Sequence, residues 1–171
     1  MFFEENTLAK HDESPWTLVG FLKESDKRTS YLNANPELAS YFARTSEMVY
    51  DVEKRLNPDW DHILQPDSST LERFPEKYRR DPALLRTLLD GALKGLERRI
   101  RRNYKTAIPQ FHRSRLQWLL PLCLETPAKA DVALVVHPRG TMYVGETVLT
   151  LDQAYNNARL VARPDTEWLN P

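Results

Sequence analysis

The spacing of apolar positions changes character along the chain, and the changes mark its elements. Leu85, Leu88, Leu89, Ala92, Leu96 and Ile100 recur at intervals of three and four, which predicts one long amphipathic helix running through to Asn103. Asp81-Pro82 opens it, with an N-cap followed by proline in the first helical position. Beyond it, Tyr104 to Phe111 and Leu116 to Leu124 predict a hairpin turned at His112-Arg113-Ser114-Arg115. Pro109 and Pro121 cannot donate to a ladder, so each is expected at an edge, a bulge or a non-bonded position. Val132 to Val136 is a continuous apolar, largely β-branched run, the pattern of a strand buried on both faces. His137-Pro138-Arg139-Gly140 supplies turn chemistry. Met142 to Thr150 then alternates, with Tyr143, Thr147 and Leu149 expected opposite Val144 and Val148.

A second helix follows directly. Thr150 stands three residues before Gln153, the spacing of a capping box, and Asp152 puts negative charge in the first turn. Ala154, Ala158, Leu160 and Val161 form the stripe expected to pack on the sheet. Asp152, Tyr155, Asn156, Arg159 and Arg163 share another stripe, and Pro164 ends the helix.

Earlier in the chain the pattern is weaker. Trp16 to Leu22 fits a strand or a short helix, with the strand favoured. Asn35-Pro36 introduces a helix expected to reach about Leu56, ended by Asn57-Pro58-Asp59. Pro66, Pro75 and Pro82 punctuate a loop-rich connection. The pattern predicts a single α+β domain over residues 1–171, with about four antiparallel strands in two hairpins. A long amphipathic helix precedes them and a C-terminal helix packs on the sheet.

Composition narrows the function classes. No run approaches the roughly 20 apolar residues of a membrane span. Met1-Phe2-Phe3 is followed by Glu4-Glu5, the wrong charge for a secretory leader, so no membrane partner is expected and a cytoplasmic location follows. The one cysteine, Cys123, excludes an internal disulfide and a cysteine-based zinc site, and Leu122 and Leu124 beside it indicate a buried, inert thiol. No pattern names a metal or a cofactor. Formal charge is zero over 24 basic and 24 acidic residues, yet Leu71 to Arg115 holds 13 Lys+Arg against 5 Asp+Glu, a local excess of +8. Such asymmetry points to an anionic partner.

The candidate residues follow from these patterns. Arg99, Arg102, Arg113 and Arg115 are candidate phosphate contacts, although arginines in a last helical turn also simply suit the helix dipole. Asn156, Asn157, Arg159, Tyr155, Lys105 and Gln110 are candidate ligand-binding residues. The helix row reads either as a ligand site or as a solvated face; two adjacent asparagines in a helix interior favour some further purpose. Asp152 and His62 are the candidate acid/base groups by residue type.

The runs NYKTAIPQ from Asn103, LLPLCL from Leu119, ADVALVV from Ala130 and TVLTLD from Thr147 carry a resemblance. Each occurs in order and leads into AYNNARL from Ala154, RPD from Arg163, and Trp168-Leu169. The chain resembles an uncharacterised family, domain of unknown function three-eight-two-five, over nearly its whole length. The resemblance implies little chemistry, but it implies company with RNA-binding modules such as cold-shock and OST-type winged-helix domains. Members usually carry a further N-terminal portion with a Phe-Asn-Thr-Gly-Leu motif before the point that resembles Met1. Against that pattern the chain reads as a shortened member, as a binding remnant, or as one that a partner protein or self-association completes.

Three functions compete. The first is an RNA or nucleotide binding module built on the basic helix-hairpin segment and the Asp/Asn/Arg row. The second is an enzyme acting on a nucleotide or RNA end, with Asp152 or His62 as acid/base and Arg159 on a phosphoryl group. The third is a structural or interaction domain in which the NNAR row ties down a neighbouring segment such as the Trp168-Leu169 tail.

Overall fold

A computed structural model describes residues 2–5, 7, 16–20, 26–29, 41–66, 68–112, 115–158, 161 and 168–169. Its contacts divide the chain into two compact units, Met1–Ala39 and Ser40–Pro171. In the first unit, β1 (Phe2–Glu5) and β2 (Trp16–Gly20) pair antiparallel, so the Trp16 run is a strand. In the same unit the Asp26 carboxylate takes both the backbone N–H and a two-pronged guanidinium contact from Arg28.

The second unit is one five-stranded sheet with helices on both faces. Its order is β3-β7-β6-β5-β4, formed by β3 (Arg55–Pro58), β4 (Ile108–His112), β5 (Arg115–Leu122), β6 (Val132–Arg139) and β7 (Met142–Leu149). The four later strands pair as successive antiparallel neighbours, with nine residues between β5 and β6. The fifth, β3, is parallel to β7; it takes in Arg55 and Leu56, the end of the expected early helix, and Asn57-Pro58, the expected stop of that helix. Residues 35–40 lie outside the described set. Thr45–Met48 form only a short 3-10 turn, and Leu56 alternates buried between exposed Arg55 and Asn57, a period of two. Pro58 is tolerated because β3 is an edge strand. Two short helices follow, α1 (Trp60–Ile63) and α2 (Glu76–Arg79).

The long helix α3 (Pro82–Arg102) is the predicted one. Asp81 accepts from the Leu84 N–H at 2.9 Å, and Pro82 takes the first turn. Leu85, Leu89, Leu96 and Ile100 are buried and pack with Trp118, Leu120, Leu122, Leu134 and Val136 of the sheet. Each contributes on the order of 1.5–3 kcal/mol by leaving water. On the opposite face α4 (Leu151–Ala158) lays Ala154 and Ala158 over Ile108, Leu119, Ala133 and Val135, with Trp168 and Leu169 completing that layer. The capping box is made in both directions, Thr150 N to Gln153 Oε1 and Gln153 N to Thr150 Oγ1, each at 3.3 Å. Leu160 and Pro164 lie outside the described residues; Val161 is half-buried in a turn.

Two local expectations need correction, those for Tyr104–Thr106 and for the alternation of β7, while the two prolines fall where expected. Tyr104–Thr106 form a 3-10 turn capped by Asn103, so β4 begins only at Ile108. Pro109 sits on the edge strand, and Pro121 lies beyond the last β4–β5 pair, where β5 has no neighbour on that side. On β7 the alternation slips a step: Val135 pairs with Thr147 but Val136 with Gly145, leaving Glu146 unpaired. This bulge resets the phase, so Tyr143 and Val148 share the α3-side core while Leu149 joins the α4 side. No helix among the described residues is long and apolar enough to cross a membrane.

Candidate functional site

Register alone assembles a site at one end of the sheet. On the α4 face, Gln110 of β4 pairs with Gln117 of β5. Stepping back one residue from the Trp118–Val136 pair sets Gln117 beside His137 of β6. His137 pairs with Val144, and Val144 with Asn57 of β3. Two residues further out on each strand, the same face carries His112 paired with Arg115, and Arg139 paired with Met142, which pairs with Arg55. The face is therefore graded. An apolar patch lies under α4, then comes a row holding three amides and an imidazole beside Val144, and the rim holds three arginines with His112 and Met142. Strands lie about 4.8 Å apart, so the outer row spans roughly 19 Å.

The inner row is buried except at Asn57 on the edge strand. Gln110, Gln117 and His137 are 2%, 5% and 8% exposed. Asn157 of α4 donates to Gln110 Oε1 at 3.1 Å, and Gln110 Nε2 donates to Gln117 Oε1 at 2.8 Å. The amides thus run as a relay from α4 through β4 to Gln117 of β5, beside His137. Burial lowers the His137 pKa, and the Arg115 and Arg139 charges push the same way against Glu146. The sign follows from linkage: the unfolded chain binds the proton at His137 more readily than the fold. Its contribution to stability is thus complete above the ordinary value of 6.5 and is lost as pH falls below it. Denaturant unfolding at pH 7.5 and 5.5 should show the lower stability at 5.5, and H137Q should flatten the difference.

In the outer row Arg55, His112, Arg115 and Arg139 are exposed. Among the described residues Arg55, Arg115 and Arg139 form no ion pair, whereas Arg86 and Arg101 are taken by Asp61 and Glu53. Beside Arg139 a recess of about 380 Å³ opens between Asn57, Met142, Val144 and Glu146. On the other face of this sheet end, a second recess of about 460 Å³ includes Arg115 with Phe111, Trp118 and Tyr143.

The remaining candidates lie elsewhere. Arg99 and Arg102 border a groove of about 760 Å³ between α3 and the end of β5. Arg99 there donates to Pro127 O at 3.3 Å and Cys123 Sγ at 3.8 Å. The Cys123 thiol is half-buried, and burial raises its pKa. Lys105 is exposed at the same end. Arg115 is at the far end of the eight-residue β5, roughly 23 Å away at about 3.3 Å per residue, so the basic segment divides into two separate clusters. Asp152 and Asn156 are exposed, Tyr155 is half-buried against the α4-side core, and His62 is exposed on α1 with no hydrogen bond joining it to Asp152. Arg113, Arg159 and Arg163 lie outside the described residues. Among those described, no three His, Cys, Asp or Glu side chains converge to hold a metal.

The model of one protein family, described as a domain of unknown function (DUF3825), matches residues 1–168. The chain belongs to that family. No curated protein and no solved structure matches it. In this member of DUF3825, sequence reasoning found Gln110, Asn157 and Arg115 but missed Gln117, His137, Arg139 and Arg55. The last two stand outside the basic segment, and only pairing brings them to it. The alternation of β5 and β6 offered a signal: a polar residue at the buried phase of an otherwise apolar strand, as at Gln117 and His137.

Proposed function

We propose that this chain binds the backbone of a single RNA strand across the Arg115 end of its sheet. The carrying observation is the outer row, where His112, Arg115 and Arg139 fall on three successive strands of one face and Arg55 lies on the next strand but one, beyond Met142. The three arginines have no carboxylate partner among the described residues. Guanidinium groups suit phosphate because their forked donors match two oxygens at once. Burial of the amide row behind them fixes the strands that carry them, so binding orders little that is loose. Among the described residues, nothing joins Asp152 and His62 in one constellation, so the reading is a binding module rather than an enzyme.

Fluorescence anisotropy with a labelled 12-nucleotide RNA tests it. Affinity should fall with salt at a log–log slope near −2, since each of about three neutralised phosphates on a single strand contributes roughly −0.7. Binding that ignores salt would end this reading.

A further inference from the structure

We infer that the recess on the α3 side of the same sheet end receives one unstacked nucleobase of the bound strand; the inference rests on the strand-binding reading above. The recess is walled by Tyr41, Phe111, Trp118 and Tyr143 and edged by Lys54 and Arg115. Its rings are already arranged in pairs. Tyr41 and Phe111 lie 4.9 Å apart at 52°. Tyr143 stacks on Tyr50 at 4.3 Å and meets Trp118 edge-on at 5.2 Å. Trp118 and Tyr143 are buried core residues, and that role alone would account for them. It does not account for half-buried Tyr41 and Phe111, whose rings flank an open space instead of closing it. At about 460 Å³ the space lies within the roughly 300–1,000 Å³ of small-molecule sites.

Arg115 links the two features. It belongs to the cationic row and also lines the recess, so a backbone held on the row passes the recess mouth. A base that enters stacks on aromatic faces, an interaction open to any base but only once it has left its own stack. Duplexes keep their bases paired and are excluded. Asp51 also lines the space. One of its oxygens accepts from the Glu53 N–H at 3.0 Å, and the other is an acceptor for an exocyclic amine, as carboxylates are for the cytosine amino group. Bases with an amino group are thus favoured over uracil.

The experiment compares a labelled 12-nucleotide cytidine RNA with a fully abasic strand of equal length, and cytidine monophosphate with ribose 5-phosphate as competitors. The intact strand should bind at least about tenfold more tightly, as the loss of a stacked base predicts. Cytidine monophosphate should compete where ribose 5-phosphate does not. Val49, 47% exposed at the lip, allows the recess to be blocked without touching the core: V49W should remove the advantage of the intact strand and leave abasic affinity unchanged. F111L, which keeps apolar volume but loses the ring, should act the same way. Equal, salt-sensitive binding of both strands would overturn the recess and leave the phosphate row standing. No binding of either strand or of the nucleotide would overturn both.

Discussion

Reversing two charges, R115E with R139E, is expected to weaken RNA binding by roughly 100-fold or more. Each arginine contributes a charge-assisted contact of about 1.5–3 kcal/mol, and 1.4 kcal/mol is a factor of ten. Reversal also turns attraction into repulsion at neighbouring positions, so the loss exceeds that of truncation to alanine. The salt slope should flatten by about 1.4 as two phosphate contacts disappear. Both side chains are exposed and form no ion pair among the described residues, so the melting temperature should hardly move. The control is the other cationic cluster. R98E with R102E, at the groove on α3, adds the same negative charge to the protein but at the far end of β5. If the proposed row carries the binding, that pair should cost no more than a few-fold through long-range repulsion. Equal losses from the two pairs would show that overall charge, not the row, governs association.

Two adjacent asparagines should behave in opposite ways. N157A removes the donor that meets buried Gln110 Oε1 and is expected to cost about 1–3 kcal/mol, the desolvation penalty of an unmet buried acceptor. N156A removes an exposed side chain from a helix interior and should be neutral or slightly stabilising, since alanine is the better helix former by up to about 0.7 kcal/mol. Thermal or urea unfolding separates the two outcomes. Equal, small effects would mean that the chain of amides has no energetic role. A loss at Asn157 carries a functional consequence as well, because Gln110 positions Gln117 on β5 two residues from Arg115.

How much of this was legible in the sequence depends on what each signal requires. The α3 stripe and its Asp81-Pro82 start are local, as is the Thr150/Gln153 box, and all appear where spacing put them. The β3 strand was not legible. Its four residues are too few to show a period, and their partner β7 lies more than 80 residues away. The bulge at Glu146 was equally hidden, because a slip of one residue against Val135–Val136 exists only in the pairing. The site repeats the lesson. Asn157 and Gln110 were singled out separately, and their hydrogen bond joins them across 47 residues. Lys and Arg density drew attention to Leu71–Arg115, yet folding parts Arg99 from Arg115 and sets Arg115 near Arg139 instead. Charge counted along the chain measures composition; charge counted across a sheet face measures a surface.

The most direct measurement of the central claim is an NMR titration of the labelled protein with single-stranded RNA, read as backbone amide and arginine side-chain shifts. Perturbations should concentrate at His112, Arg115, Arg139 and Arg55, with smaller ones at Gln117 and His137 behind them. Shifts confined to Arg98, Arg99 and Arg102 beside α3, with the sheet row unmoved, would contradict the account.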